Sequence, residues 1–159
     1  MAVETQIAAR QVCDLLSGLV GREVSADGVV AAPKIDVAPA YIATYVDETG
    51  KVIALCRCDI AGSASLGAAL SMLPAGRVDD CIKASVLDEM VFENFWEVCN
   101  VLVRVFNSPH QPSLTLKTIN ALPLAADSGV DLTATPANRV DIGLTVQGYR
   151  EGLLSLLRL

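Results

Sequence analysis

The sequence predicts an α/β fold, more closely α+β, built as one domain over residues 1–159. Three observations carry this. A chain of 159 residues is the length of one domain, and a second core would be cramped. Its apolar spacing passes from helical three- and four-residue steps to runs of β-formers and back, giving the order α-β-β-α-α-β-β-β. Clusters of Pro, Gly, Asp and Asn punctuate each change. Apolar residues make up 52% and charged residues 19%, so the fold is expected to carry an additional apolar contact surface.

The first helix is read from Ala8, Val12, Leu15, Leu16 and Leu19, with Gly18 and Gly21 supplying its end. A stretch holding Pro33 and Pro39 leads to a β-hairpin, residues 41–46 and 51–60, around the turn Asp47-Glu48-Thr49-Gly50. A small-residue helix opens at Gly62-Ser63 and is closed by Pro74 and Gly76, and a long helix spans residues 85–107. Strands are expected at 114–119, 130–135 and 140–146. The tail 149–159, with its run Leu153-Leu154-Ser155-Leu156-Leu157, must be covered by its own body, a second subunit or a partner.

Composition excludes several function classes. Eight Arg and four Lys, scattered singly from Arg10 to Arg158, stand against 18 acidic residues for a net charge of −6, which repels nucleic-acid phosphates. Met1 to Arg10 lacks a secretory pattern and no apolar run approaches the roughly 20 residues of a membrane span, so a cytoplasmic protein is expected. The five cysteines, Cys13, Cys56, Cys58, Cys81 and Cys99, lie in apolar segments and read as reduced core thiols. One histidine, His110, rules out a His-rich metal site and reads as a loop residue. Gly62 and Gly67 have a phosphate-loop outline, yet Ala68 and Ala69 stand where Lys and Ser or Thr are needed. Close helix packing explains them better.

The long helix carries the information. Residues set about 100° apart place Leu87, Met90, Val91, Phe95, Val98, Leu102 and Val105 on one arc, the core face. Glu89, Glu93, Glu97, Asn100, Arg104 and Asn107 share the opposite arc, flanked by Trp96 and Val103. A Trp beside a polar stripe suits a protein contact site. Glu97 and Asn100 project side by side from adjacent turns: the amide can orient a water while the carboxylate pairs with a cation, and positioning dominates phosphoryl hydrolysis.

The element order, with Leu70-Ser71-Met72-Leu73-Pro74-Ala75-Gly76, Asp79, Asp80 and Glu97-x-x-Asn100, resembles the CheC/CheX/FliY group of chemotaxis phosphatases, CheX above all. The resemblance spans residues 5–147. It implies a curved, mostly antiparallel sheet backed by long helices, a homodimer, and docking of the long helix on a phosphorylated CheY-type response regulator. Asn100 would place the attacking water on the aspartyl phosphate and Glu97 would pair with the regulator's lysine. Glu93, Trp96, Val103 and Arg104 would line the partner contact. No cofactor or metal is implied for the chain itself, the magnesium being the regulator's.

The chain departs from the group where Phe95-Trp96 and Val101-Leu102-Val103-Arg104 replace small residues, and it lacks a second Glu-x-x-Asn. Bulk there motivates an alternative, a catalytically inactive CheX-like interaction module in signalling or motility. A weaker alternative is an acidic dimeric secretion chaperone.

Overall fold

The computed structural model describes residues 7–27, 30–107 and 113–159. His110, Pro109 and Pro112 lie outside them. The order is α1 (Ala9–Val20), β1 (Val24–Asp27), β2 (Ala40–Val46), β3 (Val52–Asp59), α2 (Ile60–Leu70), α3 (Ala75–Ala84), α4 (Glu89–Leu102), a 3₁₀ turn (Val103–Val105), β4 (Thr115–Ala121), β5 (Asn138–Val146) and β6 (Gly152–Arg158). The strands form one open, antiparallel six-stranded sheet in the order β1-β5-β6-β3-β2-β4.

The hairpin forms where its turn chemistry requires. Asp47 Oδ1 accepts from the N–H groups of Thr49 and Lys51, and Gly50 takes φ +85°. The greasy tail is β6. It lies between β5 and β3, so of the three covers considered for it, the chain's own body is the one used.

Alternation along the strands divides the interior in two. Tyr41, Ala43, Tyr45, Cys56, Cys58, Leu154 and Leu156 face the helices in the main core, whereas Ala40, Ile42, Leu55 and Leu157 face the other way. That second face is covered by Ile35, Leu122, Leu124, Val130 and Leu132 from the loops. Burying both faces absorbs much of the apolar excess within the chain. All five cysteines are free and buried, as expected. Among the described residues no helix is long and apolar enough to cross a membrane.

Five local readings change, the fifth being the length of the long helix. Residues 130–135 form no strand: the Ser128 hydroxyl and the Asp131 carboxylate accept from the N–H groups of Val130 and Thr133, satisfying the backbone locally. The short β1 was not anticipated. α2 begins two residues before Gly62-Ser63, capped by Asp59, whose Oδ1 accepts from Gly62 N–H at 2.8 Å. The segment holding Asp79 and Asp80, between the two predicted helices, is itself a separate helix, α3, which Pro74 opens instead of ending a helix.

The long helix is accordingly shorter than 85–107. Ser85 turns left-handed (φ +53°) to end α3, Asp88 caps α4 through Val91 N–H at 3.0 Å, and the last turn tightens after Leu102.

Asp88 Oδ2 also accepts from Arg77, at 3.1 Å from Nη2 and 3.2 Å from Nε. Partial burial alone would raise its carboxyl, but the Val91 and Met90 amides and Arg77 outweigh it and hold the group below its ordinary range. The lowered folded-state value means this stabilisation is present above the unfolded-state pKa and is lost as pH falls through the folded one. Asp88→Ala is expected to cost about 1–2 kcal/mol in urea denaturation, and a variant of wild-type stability would count against the cap.

Candidate functional site on the exposed face of α4

α4 is held rigidly from behind. Val91, Phe95, Val98, Cys99 and Leu102 are buried against the sheet and α2. A Cβ at Gly67 would stand 2.6 Å from Val91 O, so α2 and α4 approach as closely as they do because a glycine is there. Asn94 completes the join, donating from Nδ2 to Gly67 O at 2.9 Å and to Ser71 Oγ at 2.8 Å. Sequence reasoning missed Asn94 because an asparagine on a helix carries no sign of its distant acceptors.

The opposite face is free along much of its length. Glu89, Glu93, Glu97, Asn100 and Arg104 are all exposed, as the periodicity predicts, and Met90 joins them, half exposed, against its expected place in the core. Val105 is only partly buried at the core's margin. Asn107 is drawn out of the stripe: its Oδ1 accepts from Leu114 N–H at 2.9 Å, tying the end of the helical segment to the approach to β4.

Trp96 is half-buried, with its ring 6.4 Å from that of Phe92. Phe92, Glu93, Trp96 and Glu97 line a shallow, mainly apolar depression of about 230 Å³. Val103 starts the 3₁₀ turn and packs partly on the core. Arg104 with Val101 borders a groove of about 350 Å³ against Asp14, Leu15, Gly18 and Leu19 of α1. No ion pair among the described residues joins Arg104 to Glu97.

The surface therefore offers three carboxylates in a row, a carboxamide beside the last, and an aromatic shoulder. The described residues contain no cluster able to hold a metal ion. Such a face can orient a water and pair with cations. The phosphate-loop outline at the start of α2 has a structural explanation, since the Gly62 amide is taken by Asp59 and a Cβ at Gly62 would stand 2.9 Å from Cys58 Sγ.

No family model matches the chain, and no curated protein does. Solved structures do. FliM in the FliG–FliM complex of H. pylori gives a TM-score of 0.56 at 12% identity, covering 94% of this chain and 85% of that one. FliY of Thermotoga maritima gives 0.56 at 12% identity, covering 92% and 82%. CheX in the CheX–CheY–BeF3–Mg2+ complex of Borrelia burgdorferi gives 0.54 at 10% identity, covering 96% and 98%. The chain has the CheX/FliY/FliM fold. Identities this low carry the architecture alone, and with it the expectation of a mixed fold with an antiparallel sheet and helices. In the CheX/FliY/FliM fold of this chain, α4 is the helix that presents Glu97 and Asn100.

Proposed function

We propose that the protein is a CheX-type phosphatase acting in the cytoplasm on the aspartyl phosphate of a CheY-type response regulator. The observation that carries the reading is the exposure of Glu97 and Asn100, side by side, on a helix immobilised by its buried face. A fold of this kind solved together with CheY supports it. In the reaction a water oxygen bonds to phosphorus as the bond to the aspartyl oxygen breaks, releasing inorganic phosphate and a free carboxylate. Asn100 holds that water in line, Glu97 pairs with a lysine of the regulator, and magnesium is supplied by the regulator. Glu93, Trp96, Val103 and Arg104 form the contact around the pair, and the active protein is a homodimer.

The test is the lifetime of a phosphorylated CheY-type regulator with catalytic amounts of the protein, beside its Asn100→Ala and Glu97→Ala variants. An unchanged lifetime with the wild-type protein overturns the reading.

One observation favours a second reading, a non-catalytic interaction module: the apolar depression between Phe92 and Trp96 is a feature that water positioning does not need. On this reading Trp96→Ala weakens regulator binding by tenfold or more, in the usual range of an aromatic anchor at about 2 kcal/mol, while phosphate lifetime stays as it is without the protein. Titration calorimetry and the decay assay together separate the two.

A further inference from the structure

We infer that Tyr45, a buried tyrosine on β2, is a positioning residue for Asn100; the inference rests on the phosphatase reading. The carbonyls of a helix's last turn run short of partners within it, and Cys99 O lies in the last turn of α4. The Tyr45 hydroxyl donates to it at 2.6 Å across the core. Asn100 is the next residue, and α4 gives way to the 3₁₀ turn three residues later. Tyr45 thus grips the backbone near the point where the helix changes pitch, at the carbonyl of the peptide that joins Cys99 to the residue proposed to hold the water.

The sheet is built to aim this hydroxyl. The register of β2 slips against β4 between Thr44 and Tyr45, and against β3 between Tyr45 and Val46. Irregularities of this kind bend a strand and redirect one side chain, and here they flank Tyr45 on both sides. Its ring is also fixed, packed against Phe106 with centroids 5.2 Å apart. Phe106 in turn lies under the Arg158 guanidinium of β6, which donates to its carbonyl. Burial drives the phenol well above its ordinary pKa, so it remains a donor throughout the working pH range.

Tyr45→Phe keeps the ring and removes the donor. The amides of residues 102–107 are expected to exchange with solvent about tenfold faster, with the first turns of α4 unchanged. In the regulator assay kcat falls about tenfold while KM stays within about twofold, because a small misplacement of a positioned group costs rate and spares binding. Adding Tyr45→Phe to Asn100→Ala costs no further rate. Thr44→Val is the control: Thr44 bonds Thr118 at 2.7 Å on the other face of the same strand, and its loss is expected to lower stability and leave kcat alone. Unaltered exchange at 102–107, or an unaltered kcat in an active background, overturns the inference. If exchange changes as expected but the wild-type protein does not shorten the phosphate lifetime, the phosphatase reading fails, and the catalytic role of Tyr45 fails with it.

Discussion

Gly152→Ala is expected to destabilise the protein more than any other small substitution, by about 3 kcal/mol or more. Gly152 opens β6 where the end of β3 and the start of α2 converge. A Cβ there would overlap the Cα and N of Gly62 and stand 2.8 Å from Asp59 Oδ1. The backbone cannot withdraw cheaply. Asp59 Oδ1 accepts from both Gly62 N–H and Leu153 N–H, and on the other side Ser65 Oγ donates to Arg150 O at 2.9 Å and accepts from its N–H at 3.1 Å. The added methyl either opens the junction or breaks the cap of α2, exposing orphan amides as well as straining the core. For a domain of this length the loss corresponds to a fall in melting temperature of about 10 °C. A melting curve that overlays the wild type would refute the junction as described.

Asn100→Ala is expected to abolish the acceleration of regulator dephosphorylation, a loss of about a hundredfold in kcat. In the proposed reaction Asn100 is the group that holds the attacking water, whereas Glu97 acts through the regulator's lysine. Asn100 is exposed and takes no part in the core, so the variant should melt with the wild type and the lost rate can be assigned to the carboxamide. Glu97→Ala is expected to raise KM more than it lowers kcat, because an ion pair to the regulator acts in binding and transition state alike. A regulator whose phosphate decays equally fast with Asn100→Ala and with the wild type would remove Asn100 from the mechanism.

Much of this site is legible in the sequence because helical periodicity reports exposure directly. Five of the six residues read as the polar stripe of α4 are exposed, and Leu87, Val91, Phe95, Val98 and Leu102 are buried as their spacing requires. Met90 departs from the pattern, half exposed at the start of α4, and at two other places a local hydrogen bond has won. Asn107 leaves the stripe to bond Leu114, and the apolar segment 130–135 is kept from pairing by Ser128 and Asp131.

What depends on distant partners was invisible. Proline at position 74 stops a helix or opens one with equal chemical ease, and only the placement of α3 beside α2 decides which. The tail shows the same limit on a larger scale: its apolar run Leu153-Leu154-Ser155-Leu156-Leu157 fits any buried strand, and its position between β5 and β3 comes from pairings such as Cys56 with Leu156 and Ile142 with Leu154. Periodicity and turn chemistry were enough to place the hairpin with its turn and most of the buried and exposed positions of α1 and α4. The tertiary structure alone decided the order of strands, the covering of the second sheet face, and the fixing of α4 by Gly67, Asn94 and Tyr45. The reason is physical: periodicity records how one element divides its surface between core and water, whereas pairing and close approach are settled between elements far apart in the chain.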